Sequence, residues 1–400
     1  MSRWKRVAGW ATIVAALCLY AGFALYIASH TEVYRLYRSS GLASVRYEQA
    51  TVLAVEGEEL EVDSAHGGLI TGYQDILIRI TSGDRSGTEL RIENILNYTT
   101  HFLLKKGDAV IVHVDTADAE HFTVSVYSVD RAPALGLLAL LFVAALCGIG
   151  GRRGFRSLLG MAFTLVSIVF LFIPLLYRGL SPALASAVMA GATAAVSLFL
   201  LGGISAKSLS AVGGCLAGIA IATVLALVFQ DLIQISGYTT AEADSLLAIA
   251  GQSGMRVGEL LFAAFLISTL GAEMDIAISV ASAVSEVSAS NPSLGRSELF
   301  RAGMNVGRDM MGAMANTLIL AFAGGSLNAL ILIYSLERSA DQILNSNAVA
   351  IEIVQALSAG LVVILTVPAV AFFAAALSSK PKKGRSGDGH RLSATPLPSD

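Results

Sequence analysis

Apolar residues gather in runs of about 20 over much of this chain, which is the length of a helix that crosses a bilayer. We therefore predict transmembrane helices at residues 133–150, 157–177, 182–202, 208–230, 258–287, 309–334 and 349–377. An earlier apolar run, residues 7–28, follows a basic start at Arg3, Lys5 and Arg6. Because this run is long and lacks a clean Ala-x-Ala cleavage site, it favours a signal anchor over a cleaved signal peptide.

A different pattern occupies the region between the first and second apolar runs. Apolar and polar residues alternate there, which is the sign of strands, at residues 52–62, 76–80, 90–95, 110–114 and 122–129. Turn residues separate these segments at Gly67-Gly68, Ser82-Gly83-Asp84 and Lys106-Gly107-Asp108. Several short strands in one region predict a small β-barrel, closed or partly open, of the OB type.

Composition supports the membrane assignment. The chain is 54% hydrophobic and 14% charged, with a mean hydropathy of +0.67, whereas soluble domains carry about 25% charged residues. We predict an α-helical polytopic membrane protein with about eight transmembrane helices and an inserted small extracytoplasmic OB-like β-barrel domain. Its domains are a signal-anchor helix at 1–30, the β domain at 34–131, a seven-helix region at 132–378 and a disordered cytoplasmic tail at 379–400.

Basic residues predict the orientation of these helices, because cytoplasmic loops carry an excess of Lys and Arg. Alternate connections and the tail carry Arg152, Arg153, Arg156, Lys207, Arg296, Arg301, Arg308, Lys380, Lys382, Lys383 and Arg385. The opposing short loops carry little beyond Arg178, Arg256 and Arg338. Both termini are therefore expected in the cytoplasm and the β domain outside. Acids outnumber bases in the β domain, which argues against a nucleic-acid partner.

Polar side chains interrupt two adjacent helices. Two sets have the same spacing of 4, 3 and 4 residues: Asp275, Ser279, Ser282 and Glu286, and then Asn305, Asp309, Gly312 and Asn316. Residues three and four apart share a helix face, so each set forms a stripe. An acid inside the hydrocarbon region is a functional-site hypothesis by default.

The two stripes are expected to meet. Their helices are joined on the predicted cytoplasmic side, so an antiparallel pair would place Asp275 near Asn316, and Glu286 near Asn305 and Asp309. Glu273 lies about 200° around the helix from Asp275, at about 100° per residue, and so faces a different neighbour. Carboxylates, amides and hydroxyls together form an oxygen-rich lining suited to hard cations or to proton relay.

A structural explanation of the same residues remains open. Arg308 could neutralise Glu286 or Asp309 in an ion pair that fixes the helix register. Asn305 and Asn316 could instead be hydrogen-bonding contacts between helices.

Other chemistry has weaker signals. In the β domain His113, Asp115, Glu120 and His121 are close in sequence, yet their spacing matches no defined metal motif. The cysteines fall in apolar runs without disulfide or zinc spacing. No P-loop, nucleophile elbow or dinucleotide fingerprint occurs in a credible context, so we expect neither a cofactor nor an enzyme activity. The metal, if one binds, is unknown.

Four segments resemble the YibE/F-like family of bacterial multi-pass membrane proteins. They are Gly-Ala-Glu-Met-Asp-Ile-Ala-Ile-Ser at 271–279, Asn291-Pro292, Gly-Met-Asn-Val-Gly-Arg-Asp-Met-Met-Gly at 303–312, and Ala-Asn-Thr-Leu-Ile-Leu-Ala-Phe-Ala-Gly at 315–324. The resemblance covers about residues 45–377 and implies a bacterial plasma-membrane protein with an N-terminal β domain. It implies no settled activity. Family members commonly have a small or apolar residue before Met274, so the resemblance ranks Glu273 below Asp275.

Two functional hypotheses follow. The first is a transporter or channel-like permease for a small ion or solute, in which Asp275, Glu286 and Asp309 bind or relay cations and Asn305 and Asn316 coordinate them. The second is a non-transporting envelope scaffold or sensor whose β domain binds an external partner. The expected partners are the lipid bilayer, a small cation or solute and further copies of the chain, with no nucleic acid.

Overall fold

A computed structural model describes residues 19–31, 45–116, 122–240, 242–336 and 339–379. The predicted tail, the first part of the signal anchor, Glu120 and His121 lie outside these residues. The chain divides into two compact units, one built from residues 34–155 and the other from 1–33 together with 156–400. Each is described by itself.

The first unit contains a five-stranded antiparallel sheet with the order β3-β2-β1-β4-β5. Its strands are β1 Val45–Asp63, β2 Leu69–Ile80, β3 Glu89–Leu96, β4 Ala109–Asp115 and β5 Thr123–Val129. The five predicted strands are therefore confirmed. Register shifts in β1, between Val52 and Ala54 and between Val55 and Gly57, bend that strand. The edge strands β3 and β5 come close to each other, so the sheet forms a half-barrel.

Helices make up most of the remaining chain. In order they are α1 Leu19–Ser29, α2 Ala132–Tyr177, α3 Pro182–Gly202, α4 Ala206–Ile233, α5 Ala243–Ser253, α6 Leu260–Ser290, α7 Arg296–Gly325, α8 Leu327–Ser335, α9 Ala340–Leu344 and α10 Asn347–Ser378. Within the described residues, five helices are long and apolar enough to cross a membrane, and α7 with α8 makes a sixth if the pair is one span. The predicted count of about eight is not confirmed, since residues 1–18 of the first predicted helix lie outside the described part of the chain.

Two predicted boundaries need correction. Two helical segments do meet between residues 150 and 157 as predicted, but they meet at a kink at Gly151, whose φ is 53°, and not through a loop. Glycine tolerates this backbone conformation because it has no Cβ. A Cβ on Gly154 would meet the backbone of Leu146 and Cys147, so the helix axis bends sharply there.

The start of α7 is the second correction. The apolar run begins near residue 309, yet the helix begins at Arg296, where Glu298 Oε2 accepts a hydrogen bond from the Gly295 backbone N–H at 2.7 Å. Charged residues in the first turns conceal this part of the helix from an apolar-run criterion. The helices α7 and α8 meet just after Gly324-Gly325 at a bend of 63°.

The helix α10 is the centre of the second unit, where it packs against α4, α6 and α7. Glycines make these contacts close. A Cβ on Gly214 of α4 would meet Val370 of α10, and a Cβ on Gly307 of α7 would meet Val367. Small residues at helix contacts allow backbones to approach, which is the usual basis of helix association in membranes.

The loop between β3 and β4 is fixed to the sheet by a buried amide, Gln74. Its Oε1 accepts from the backbone N–H of Leu104 at 2.9 Å, and its Nε2 donates to the Leu104 carbonyl at 3.2 Å. The Nδ2 group of Asn94 donates to the same Oε1 at 3.2 Å. All of these residues are buried. The Leu104 backbone groups are bound by the Gln74 amide, whereas Asn94 Nδ2 also donates to the Phe102 carbonyl at 2.9 Å.

We therefore predict that Gln74→Ala releases residues 97–108. Each buried polar group left unpaired costs about 1–3 kcal/mol, so backbone amides in this loop should exchange hydrogen faster. Hydrogen–deuterium exchange of the full chain, read by mass spectrometry, measures this. Gln49→Ala, at an exposed position of β1, is the matched control and should leave the loop unchanged. Equal exchange in both variants would show that Gln74 does not hold the loop.

Candidate functional site

The two predicted stripes do not meet. The helices α6 and α7 pack together as expected, but a Cβ on Gly303 of α7 would meet Val284 of α6. Asp275 is nine residues from Val284, which is about half a turn around the helix at about 100° per residue. The stripe of Asp275, Ser279, Ser282 and Glu286 therefore faces away from α7.

The stripe on α7 also faces outward. Gly303 and Gly307 are buried against α6 and α10, whereas Asn305, Asp309 and Asn316 are exposed. Glycine allows the closest approach of two backbones, so the small residues occupy the helix contact and the polar residues are left on the opposite face. The predicted meeting of Asp275 with Asn316, and of Glu286 with Asn305 and Asp309, is therefore wrong.

The remaining predicted residues have separate environments. Arg308 is exposed and forms no ion pair within the described residues, so the expected pairing with Glu286 or Asp309 is not present. Glu286 is also exposed. The Ser282 hydroxyl donates to the Ile278 carbonyl at 2.5 Å, within its own helix. Ser279 is half-buried.

Asp275 lines a groove of about 300 Å³ between α2, α3 and α6. Polar side chains in the same groove include Arg156, Ser157, Thr164 and Ser197. The Thr164 hydroxyl is already used, since it donates to the Gly160 carbonyl at 3.0 Å. The groove thus combines a carboxylate and a guanidinium on otherwise apolar walls.

Glu273, which the sequence ranks lower, is the acid that the helices enclose. Its side chain is 1% exposed and lies where α4, α6 and α10 meet. A Cβ on Gly218 of α4 would overlap both the Glu273 carboxyl group and the Thr366 hydroxyl group of α10. Glu273 Oε1 and Thr366 Oγ1 are both buried without a hydrogen-bond partner among the described residues. The Cys215 thiol is 3.9 Å from the Glu273 backbone carbonyl.

This carboxyl group lies near the middle of three candidate spans. At about 1.5 Å per residue, Glu273 is about 20 Å from the start of α6, and Gly218 is about 18 Å from the start of α4. Thr366 is about 18 Å from the end of α10 on the same basis. An unpaired polar group costs most at this depth, because neither water nor lipid headgroups reach it.

Two cavities lie near the end of α4 and the start of α6. The larger, about 620 Å³, is lined by Gln230, Asp231, Gln234 and Glu259, among others. A smaller one, about 30 Å³, extends to α10 and includes Gln230, Gln355 and Ser358 in its lining. Gln230 of α4 and Phe262 of α6 line both cavities.

An apolar cluster separates these cavities from Glu273. It consists of Ala222, Phe262, Phe265, Leu266, Ala359 and Val362. Along α10, Gln355, Ser358, Val362 and Thr366 are spaced 3, 4 and 4 residues apart and so follow one face. The order along this face is a polar opening, an apolar plug and then the buried hydroxyl beside Glu273.

A family model described as YibE/F-like protein matches residues 138–380. The chain belongs to the YibE/F-like family. The matched region contains every helix around Glu273, the Asp275 groove and the whole of α7. Comparison with curated proteins found no match, and neither did comparison with solved structures.

Sequence analysis of this YibE/F-like protein assigned neither Thr366 nor Gly218 to a site. Two signals were available. Thr269 and Glu273 are four residues apart on α6, and Ser358 and Thr366 are eight apart on α10. Both spacings mark a single helix face. Neither shows that the two faces meet at Gly218, since this depends on how α4, α6 and α10 pack.

The β domain also carries a buried acid, Glu48, whose Oε2 has no hydrogen-bond partner among the described residues. No group of three or more His, Cys, Asp or Glu side chains within the described residues is arranged to hold a metal ion. The Asp63 carboxylate accepts hydrogen bonds from His66 Nδ1 at 2.7 Å and from the Tyr98 hydroxyl at 2.9 Å. These bonds, that of His66 first, lower the pKa of Asp63. Asp63 thus caps its own turn through Ala65 and His66 and also joins that turn to Tyr98, which follows β3.

Gly218→Ala tests the packing of the buried carboxyl group. The added methyl group would overlap Glu273 and Thr366, and overpacking of this kind costs about 1–3 kcal/mol. We expect a lower Tm for the purified protein. Gly271→Ala is the matched control, because a Cβ there meets nothing within 4 Å.

Repeating the Gly218→Ala substitution in a Glu273→Ala variant makes the test specific to Glu273. The Tm loss caused by Gly218→Ala should shrink in a Glu273→Ala variant, since the clashing carboxyl group is then absent. Strictly additive effects of the two substitutions would show that the residues do not touch.

Proposed function

We propose that this protein is a membrane permease for a small cation, the proton included, and that Glu273 binds the cation in transit. The proposal is carried by one observation, the buried carboxyl group of Glu273 at mid-depth between α4, α6 and α10, whose Oε1 has no hydrogen-bond partner among the described residues. A group this costly in a membrane core is a functional residue by default.

The chemistry around Glu273 suits a cation. A carboxyl group and the Thr366 hydroxyl supply oxygen atoms, which hard cations prefer. The pair is closely packed against Gly218, so the proton is the occupant that needs least space. A carboxyl group that is cut off from water and from basic side chains is cheapest in its neutral form. Taking up and releasing a proton would therefore accompany each opening of the site.

The apolar cluster gives this permease a gate. It lies between the polar cavities and the carboxyl group, and apolar constrictions block ions by excluding water. Passage would require Phe262, Phe265 and Val362 to separate. The described arrangement accordingly corresponds to a closed pathway.

Asp275 provides a second opening on the other side of α6. We propose the orientation that the basic residues favour, with both termini in the cytoplasm, the OB-like β domain outside and the protein in the bacterial plasma membrane. In that orientation the cavity at Asp231 and Glu259 opens to the outside and the Asp275 groove opens toward the cytoplasm. Glu273 then lies between the two openings.

Proteoliposomes containing a pH-sensitive dye test the proposal. With an imposed inward proton gradient, the wild-type protein should acidify the interior, and Glu273→Gln should reduce the rate to that of protein-free liposomes. Glutamine has nearly the same shape as glutamic acid but cannot release a proton. An unchanged Tm of the Glu273→Gln variant will show that its fold is intact. The same vesicles loaded with indicators for Na⁺, K⁺, Mg²⁺ and Zn²⁺ identify any other cation that moves.

Asp275→Asn is the matched comparison on the same helix. We expect it to retain most of the flux, because Asp275 lines an open groove and is not enclosed. Wild-type flux of every tested cation through Glu273→Gln would overturn the assignment. Loss of flux in Asp275→Asn but not in Glu273→Gln would show that the cation binds in the Asp275 groove instead.

A further inference from the structure

The outward face of α7 carries a regular repeat. Its exposed residues Asn305, Asp309, Gly312, Asn316, Ile319 and Ala323 are spaced 4, 3, 4, 3 and 4 residues apart. These spacings average 3.6 residues, which is the period of an α-helix, so the six residues form one continuous stripe along α7. We call this stripe, together with the flanking Arg308, the α7 seam.

The α7 seam lies within the length of a membrane span. Contacts fix the register of α7 against α10: a Cβ on Gly307 would meet Val367, and a Cβ on Gly360 would meet Ala315 at 3.6 Å. Val367 is about 16 Å from the end of α10 at about 1.5 Å per residue. Arg308 and Asp309 are therefore level with the interior of α10, well away from its ends.

The polar members of the α7 seam have no partner of their own. Asn305, Arg308, Asp309 and Asn316 are exposed, and none of these side chains forms a hydrogen bond or ion pair with the described part of the chain. Charged side chains at such a depth are found facing protein or water and paired with one another. A single copy in a bilayer would leave these groups against lipid.

Charge complementarity identifies the group that covers the seam. Arg308 immediately precedes Asp309 and flanks the stripe, so the face carries one basic and one acidic side chain at nearly the same depth. In a parallel pair of helices related by a two-fold axis along the membrane normal, equal depths face each other. Arg308 of each copy then lies beside Asp309 of the other, and Asn305 and Asn316 each face their own counterpart.

Small residues allow this contact to form. Gly312 and Ala323 lie on the stripe, and Ala313 lies beside it. Such residues allow two helix backbones to approach in a membrane, and asparagine side chains can then hydrogen-bond across the contact. Polar residues on a coiled-coil stripe also fix the register and the number of helices.

We propose that the α7 seam is the contact between two copies of this chain, related by a two-fold axis along the membrane normal. The reciprocal Arg308–Asp309 pairs would lie at the centre of the contact. This dimer does not depend on the permease assignment, because no residue of the α7 seam surrounds Glu273.

Cysteine cross-linking in native membranes tests the seam. The full chain with Cys18→Ser, Cys147→Ser and Cys215→Ala is the background. Single cysteines at Gly312, Asn316 and Ile319 should form disulfide-linked dimers on oxidation, with a maximum every three or four residues. Cysteines at Met314 and Ala315 are the matched controls, since these residues lie on the inward face of the same helix, and should remain monomeric.

Charge exchange tests the central pair. Arg308→Asp and Asp309→Arg should each reduce cross-linking at Asn316→Cys, because like charges then oppose each other in the dimer. The double exchange Arg308→Asp with Asp309→Arg should restore it. A merely structural requirement for either charge within one chain would not give this recovery.

Three outcomes would overturn the proposal. They are no linked dimer at any seam position, equal linking at seam and control positions, and linking of the seam only to a different protein. A linked dimer that follows the stripe and recovers on charge exchange supports it. Since flux through Glu273 is measured separately, failure of the dimer and failure of the permease assignment are distinguishable.

Discussion

Backbone contact between α10 and its neighbours decides where the acids Glu273 of α6 and Asp309 of α7 lie. Gly214 and Gly218 of α4, and Gly303 and Gly307 of α7, leave no room for side chains between the helices. Lipid tails are as apolar as apolar side chains, so the hydrophobic effect does not draw helices together inside a membrane. Close packing of this kind is therefore a main source of helix association there. Polar residues therefore lie either in a gap within the helix contact or on the opposite face of the helix.

The two acids most affected illustrate both results. Glu273 fills the gap that Gly218 leaves, and it is enclosed with the Thr366 hydroxyl. Asp309 is two residues after Gly307, about 200° around α7 at about 100° per residue, so the glycine contact directs it outward. One packing constraint thus places one carboxyl group in the core of a single chain and leaves another for a partner.

The sequence predicts local structure well because local periodicity depends on which side of an element is buried. All five strands follow from alternation. The start of α7 does not, because Arg296, Arg301 and Arg308 are accommodated on its exposed face and interrupt the apolar run. The angle between Glu273 and Asp275 was also predictable. Which of them is enclosed depends on α10, nearly 100 residues later, and spacing carries no information about that contact.

A single turn of α10 contacts both the surroundings of Glu273 and the helix α7. Thr366 faces Glu273, whereas Val367, the next residue, faces Gly307 of α7. A close-packed contact passes on a displacement of either helix, because it contains no space to absorb one. A shift of α7 at the contact between copies would therefore move Val367 and, with it, the hydroxyl beside the buried carboxyl group. The same glycine packing that separates the two acids places them at opposite sides of one rigid helix.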